Sequence, residues 1–122
     1  MLPATSKTLV LVVEDHPALR RGLEKLVVSA GHAVQAAATI GEAMAMLDAS
    51  CPTCVILDLN LSDGVGTIIL ERIRREGTPA RVVVLSATND GSLLEFVRSL
   101  SPDAVFQKPA HFDQLCEWLK TC

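Results

Sequence analysis

The chain reads as an α/β protein built on a doubly wound parallel sheet of five strands, and three features of its 122 residues point there. Short, continuous apolar runs alternate with longer stretches of helical period. The alternation repeats five times, and polar side chains of high chemical capability gather where the apolar runs end. Unbroken runs of β-branched residues suit strands covered on both faces by helices. Regular strand–helix alternation implies right-handed crossovers and helices on both sides of the sheet.

The first strand is read at 8–13, Thr-Leu-Val-Leu-Val-Val. Pro17 suits the first turn of a helix, and Leu19, Leu23, Leu26, Val27 and Ala30 follow as one apolar stripe. A weaker strand at 33–37 precedes Thr39-x-x-Glu42, a capping-box pattern that opens a helix with Ala43, Met44 and Leu47 on one face. The third strand, 54–57, is Cys-Val-Ile-Leu. Its helix shows Val65, Ile69 and Ile73 at intervals of four and stops at Gly77-Thr-Pro79. Arg-Val-Val-Val-Leu at 81–85 is the fourth strand. Ser92-x-x-Glu95 is read as the cap of the fourth helix, with Leu93, Val97 and Leu100 inward. A second weak strand at 103–107 leads to a last helix striped by Phe112, Leu115, Cys116 and Leu119.

Length and composition bound the function. The chain fits one domain, 1–122 with a core over about 7–121, and shows no repeat or interior linker. Hydrophobic residues at 49% against 20% charged argue for a packed core and not disorder. A net charge of −3, no basic run and few aromatic residues speak against nucleic acid or an anionic membrane as a direct partner. No apolar run approaches a bilayer span and Met1 to Lys7 lacks a signal-peptide layout, so the cytoplasm is the expected compartment. Cys51-Pro-Thr-Cys54 has the spacing of a redox or zinc half-motif. It runs from a helix into a strand, the reverse of a thioredoxin-like motif, and no second pair completes a metal site. No redox or metal role is expected of it, Cys116 is read as core, and Cys122 ends the sequence.

In a doubly wound sheet, ligands bind beyond the carboxyl ends of the strands where the strand order reverses. The residues placed there are Glu14-Asp15, Asp58, Ser86 and Lys108-Pro109. Taken singly each has an ordinary reading: acidic residues cap helices, a lone Ser makes a turn, and a lone Lys is solvated. Together they supply three carboxylates, a hydroxyl and an ammonium. Crowded carboxylates raise one another's pKa unless a cation neutralises them. Oxygen-only ligands favour Mg²⁺, which keeps several waters and shares the rest with phosphate. Asp58 at the mouth of an apolar strand can attack phosphorus once charge is drawn from the transferring group.

The set resembles the receiver domain of bacterial response regulators. That family carries an acidic pair after strand 1 and, after strand 3, an Asp followed by x-x-Met/Leu-Pro-x-x-x-Gly. Ser/Thr-Ala follows its strand 4 and Lys-Pro its strand 5. This chain has Glu14-Asp15, Asp58-x-x-Leu61 with Gly66, Ser86-Ala87 and Lys108-Pro109. The resemblance implies a flavodoxin-like (βα)5 fold with strand order 2-1-3-4-5. It implies Asp58 as phosphoacceptor, Asp15 as a direct Mg²⁺ ligand with Asp58, Glu14 acting through water, and Asn60 lending its backbone carbonyl. Ser86 and Lys108 would grip the phosphoryl group, Pro109 would follow a cis bond, and Asn60 and Thr88 would flank the path of hydrolytic water. A sensor histidine kinase or phosphotransfer protein would be the partner, and a homodimer through helix 4, strand 5 and helix 5 is possible. The domain would be a switch and not an enzyme with a released product. Glu14-Asp15-His16-Pro17 with Arg20-Arg21-Gly22-Leu23 further resembles NarL-type receivers, whose output is transcription through a DNA-binding domain. His16 is expected to serve the surface and not the pocket.

Three departures stand out. Ser62 occupies the family's proline place, Ala110-His111 separates Lys108-Pro109 from Phe112, and Val105 stands where many receivers hold Tyr or Phe. Phe106 is adjacent but falls on the other face of the strand, so a muted or different rearrangement of the strand 4, helix 4 and strand 5 surface is expected. The competing readings are a degenerate receiver serving as a phosphorylation-independent interaction module, an aspartate-nucleophile hydrolase of the haloacid dehalogenase type, and a nucleotide-binding fold. The hydrolase would want Asp where Asn60 stands. The nucleotide fold would want glycine at Ile69 after Gly64-Val-Gly66.

Overall fold

A computed structural model describes residues 8–108 and 112–122. The elements run β1 (Leu9–Val13), α1 (Pro17–Ser29), β2 (Ala33–Ala37), α2 (Ile40–Ala49), β3 (Cys54–Asp58), β4 (Asn60–Leu61), β5 (Gly64–Val65) and α3 (Thr67–Arg75). They continue with β6 (Arg81–Ser86), α4 (Gly91–Ser99), β7 (Ala104–Gln107) and α5 (Phe112–Leu119). The main sheet is wholly parallel in the order β2-β1-β3-β6-β7. Among the described residues only the two-residue β4–β5 ribbon is antiparallel. Counted without that ribbon, the order is 2-1-3-4-5.

Side chains alternate across the central strands and so divide the core into two layers. Leu11, Val13, Val55, Leu57, Val82 and Val84 pack with Ile69, Leu70 and Ile73 of α3, Ala43 of α2 and Val97 of α4. Val10, Val12, Cys54, Ile56, Val83 and Leu85 pack with Leu23 and Val27 of α1 and Leu115 and Leu119 of α5. Every residue of β3 is buried. Burying Val55, Ile56 and Leu57 contributes about 1.5–3 kcal/mol for each side chain.

Helix starts follow local chemistry with three corrections. Thr39 caps α2, its hydroxyl accepting from the Glu42 N–H at 3.0 Å, but the Glu42 carboxylate reaches back to the Ala38 N–H at 2.8 Å. The cap of α4 is Asp90, not Ser92: its carboxylate accepts from the N–H groups of Ser92 and Leu93 at 2.9 and 3.2 Å. A carboxylate outcompetes a hydroxyl there because its charge also meets the positive end of the helix. Val65 is 41% exposed in the ribbon and takes no part in α3, which begins at Thr67. Gly64, at φ +148°, takes the backbone into a region that suits glycine and closes the ribbon first.

The cysteines also depart from expectation. Cys54 is bonded to Cys122, with Cα atoms 6.4 Å apart, and Cys116 is half-buried instead of core.

Asp63 tethers the loop after β3. Its carboxylate accepts from the Ile40 and Gly41 N–H groups at the start of α2, at 2.9 and 3.2 Å. The Ile40 N–H foremost holds its pKa below the usual carboxylate value. A depressed carboxylate stabilises the fold above its unfolded pKa, and that contribution is lost as pH falls through the folded value. Asp63→Ala should therefore lower the melting temperature at neutral pH. Melting curves recorded into the acid range should show the gap to the parent protein closing. A gap independent of pH would count against the tether.

Candidate functional site

Because all five strands of the main sheet run parallel, their carboxyl ends share one edge. The order reverses between β1 and β3, which opens a crevice there. Glu14 and Asp15 follow β1, Asp58 closes β3, Ser86 closes β6 and Lys108 follows β7. Backbone bonds hold the neighbouring loops in place: the Glu14 N–H donates to the Ala37 carbonyl at 3.0 Å, and the Lys108 N–H to the Ser86 carbonyl at 2.7 Å. Glu14, Asp58 and Ser86 are buried polar groups, each no more than 2% exposed. Such groups persist inside a protein only when paired or when they serve a ligand.

The three carboxylates converge, with one oxygen each from Glu14, Asp15 and Asp58 mutually within 4.8 Å. Lys108 Nζ bridges two of them, at 3.0 Å from Glu14 Oε1 and 3.3 Å from Asp58 Oδ1. The Asn60 N–H also donates to Asp58 Oδ1, at 3.3 Å. Burial pushes the Glu14 pKa up, against the pull of the Lys108 ammonium and the His16 N–H. Burial by itself would discharge Lys108, but its hydrogen bond to Glu14 and the charges of Asp58 and Glu14 prevail and hold it protonated. One ammonium among three carboxylates leaves the pocket with surplus negative charge.

That surplus fits a small, hard cation. Octahedral Mg²⁺ at about 2.0–2.1 Å from its ligands sets neighbouring oxygens about 3 Å and opposite oxygens about 4 Å apart. Three carboxylate oxygens within 4.8 Å can meet those separations with little movement.

Several supports were not legible as such in the sequence. Arg20 Nη1 donates to the carbonyls of both Glu14 and Asp15, at 3.0 and 3.2 Å, and so braces the acidic loop from α1. His16 is an exposed N-cap of α1, its Nδ1 accepting from the Leu19 N–H at 3.3 Å. The Gly66 N–H donates to the Leu59 carbonyl at 2.7 Å, and a Cβ at Gly66 would lie 2.3 Å from the Asp58 carbonyl oxygen. Only the D-x-x-L-x-x-x-x-G spacing hints at this.

The remaining predicted positions lie around the rim. Ser86 Oγ accepts from the Thr88 N–H at 3.0 Å, and Thr88 Oγ1 from the Asp90 N–H at 3.0 Å, which links the site to the start of α4. Ala87 and Asn60 are exposed. Half-buried Val105 lines a cavity of about 310 Å³ with Ser86, Thr88, Leu94, Arg98 and Gln107, while Phe106 packs in the opposite layer. Pro109, Ala110 and His111 lie outside the described residues, and with them the expected cis bond; the Phe112 side chain lies outside them too.

Residues 10–120 match the family model of the response regulator receiver domain. The chain belongs to that family. Among curated proteins, this receiver is 30% identical over 116 residues to the nitrate/nitrite response regulator protein homolog of Haemophilus influenzae, covering 93% of this chain and 56% of that protein. It is 33% identical over 106 residues to the transcriptional regulatory protein PhoP of Escherichia coli, covering 87% and 48%. The receiver thus spans about half the length of the curated relatives it matches. A receiver domain protein of Methanospirillum hungatei, described as CheY-like, superimposes with a TM-score of 0.89 at 24% identity, over 95% of this chain and 93% of that one. That likeness supports the fold.

Removing the bridging ammonium should be felt in the receiver before any reaction. Lys108→Ala strips buried Glu14 of its cation, which costs about 2–3 kcal/mol at neutral pH. Glu14 already binds its proton more tightly in the folded state than an ordinary carboxylate does. Its contribution is therefore favourable at low pH and lost as pH rises through the folded pKa. The variant should lose most stability at neutral pH and recover toward the parent in acid, as read by denaturant melts across pH. A deficit as large in acid as at neutral pH would show that the ammonium acts by packing alone.

Proposed function

We propose that this receiver is a phosphorylation-activated switch in which Asp58 accepts a phosphoryl group from a sensor histidine kinase or phosphotransfer protein. Asp58 Oδ attacks phosphorus, and the bond from phosphorus to the donor breaks as the new acyl phosphate bond forms. Lys108, already beside Asp58, takes the negative oxygens of the group as a compact point charge. Ser86, at the end of the neighbouring strand, is suited to donate its hydroxyl to another oxygen. Asp15 and Asp58, with the Asn60 backbone carbonyl, would hold Mg²⁺, and Glu14 would act through water. Bound there, Mg²⁺ neutralises charge that would otherwise repel the incoming group. Arg20 keeps the acidic loop aligned through its carbonyls. The observation that carries this reading is Lys108 Nζ bridging Glu14 and Asp58 on the floor of a buried acidic pocket.

The acyl phosphate shifts a two-state surface instead of yielding a product. The α4–β7–α5 face is a dimer surface in this reading, with Phe96 of α4 44% exposed. A transcriptional output, as the name of the Escherichia coli relative states for that protein, belongs to the same proposal, and so does a cytoplasmic setting. Among the described residues no helix is long and apolar enough to cross a membrane. Val105 supplies no ring to follow Ser86 inward, so the rearrangement is muted. Amide shifts recorded with and without beryllofluoride should change little across residues 87–107 beyond the site itself. A large concerted shift there would overturn the muted switch.

The function is tested by incubating the protein with Mg²⁺ and acetyl phosphate and weighing it intact beside a metal-free control. One metal-dependent phosphoryl adduct is expected. No adduct, together with no binding of beryllofluoride, would make the domain a phosphorylation-independent interaction module.

A further inference from the structure

We propose that Cys54 and Cys122 form a reversible redox-modification site, at which a small-molecule disulfide such as oxidised glutathione seals the end of α5 to the start of β3. The two residues are 68 apart in sequence, yet their Cα atoms lie 6.4 Å apart, within the span a disulfide bridges. The fold creates this approach. Cys54 is fully buried in the layer beneath α1 and α5, and Cys122 is half-buried just beyond the last turn of α5.

Non-covalent contacts tie down the same place beside the bond. Arg81 Nη1 donates to the Thr121 carbonyl at 2.8 Å, and its guanidinium lies 5.0 Å from the centre of the Trp118 ring. The His32 imidazole bonds the Leu119 carbonyl through Nε2 at 2.8 Å. With these contacts in place the reduced chain should keep its fold and present the two sulfurs to each other, which is what a reversible pair requires. The other two thiols, exposed Cys51 and half-buried Cys116, stay free in the same structure, so the pairing follows geometry and not proximity in sequence.

Exposure sets the order of events. The Cys122 thiolate attacks one sulfur of the small disulfide, whose S–S bond breaks and releases one thiolate. The Cys54 thiolate then attacks the Cys122 sulfur and expels the second. The protein pair loses two electrons and two protons, and the reagent is reduced to two thiols. A dithiol reductant reverses both steps. Cys54 stands four residues before Asp58 on β3, about 13 Å along the strand, at the opposite edge of the sheet. Oxidation thus leaves the phosphoryl pocket open while fixing the exit of α5. In a reducing compartment, disulfides that form are characteristically transient and redox-sensing.

The test uses the Cys51→Ser/Cys116→Ser protein, in which only the pair remains. After glutathione disulfide, acid quench and alkylation, its intact mass should show the loss of two hydrogens and no alkyl group, restored by dithiothreitol. Amide exchange over residues 115–122 should slow about tenfold or more in the oxidised form, as local opening of the last turn is blocked. Two alkyl groups, a stable mixed disulfide with glutathione, or equal exchange in both states would overturn the proposal. Should the double variant fail to fold, the oxidised parent chain carries the same test. Fragmentation should find Cys54 and Cys122 without alkyl groups, whether Cys51 and Cys116 carry alkyl groups or glutathione, and an alkyl group on Cys54 or Cys122 overturns the pairing.

Discussion

Replacing Asp58 by Asn should yield a folded protein that takes up no phosphoryl group from acetyl phosphate at any Mg²⁺ concentration. The amide keeps the shape of the side chain and an oxygen able to accept from Lys108 Nζ and the Asn60 N–H, both of which now bond Oδ1. It lacks the anionic oxygen proposed to attack phosphorus, and a neutral amide is too poor a nucleophile to replace it. The metal-free fold should not suffer, because one of three converging negative charges is gone. Intact mass and thermal melting separate the two effects. An adduct of undiminished yield would place the acceptor elsewhere, and a melting temperature far below the parent's would mean that Asp58 serves mainly to hold the fold.

The second large effect is expected at Gly66, where the loop after β3 passes against the backbone of Asp58, the proposed phosphoacceptor. An added Cβ would meet the Asp58 carbonyl oxygen at 2.3 Å and Leu57 Cδ1 at 3.2 Å. The backbone of Gly66, at φ −61°, suits any residue, so the penalty is one of contact and not of conformation. Overpacking commonly costs 1–3 kcal/mol, and a clash with main chain belongs at or above the top of that range, about 3 kcal/mol. Gly66→Ala should lower the melting temperature by roughly 10 °C. By displacing Asp58 it should slow adduct formation by about 10²-fold. Gly91→Ala is the control: nothing lies within 4 Å of its Cβ position, so stability should change by no more than about 0.5 kcal/mol. If the two variants behave alike, close approach at Gly66 is not what the glycine is there for.

Much of the fold and of the site is legible in the sequence, for a definite reason. Apolar runs at β1, β3 and β6 are long and unbroken because both faces of a central parallel strand are buried, so burial is written directly into composition. The ends of those runs locate Glu14, Asp15, Asp58 and Ser86 to within a residue. The family pattern then names the chemistry. Local competition was harder to read. Asp90 and Ser92 can both cap α4, and only the geometry of the turn shows the carboxylate reaching the free N–H groups. Val65 fits the helical period of α3, but that period cannot register a two-residue ribbon that uses the residue first.

Fold class, strand order through family resemblance, and the side chains offered at one edge of the sheet are all readable from the chain. These follow from periodicity and from residue types that sit next to one another in the chain. Tertiary structure alone decided how those side chains meet. It sets Lys108 against Glu14 across 94 positions, Arg20 on the carbonyls of the acidic pair, Asp63 on α2, and Cys54 against Cys122. Contacts of that kind depend on distances between strands and helices far apart in sequence. No local pattern encodes them; the closing of the two core layers around the sheet does.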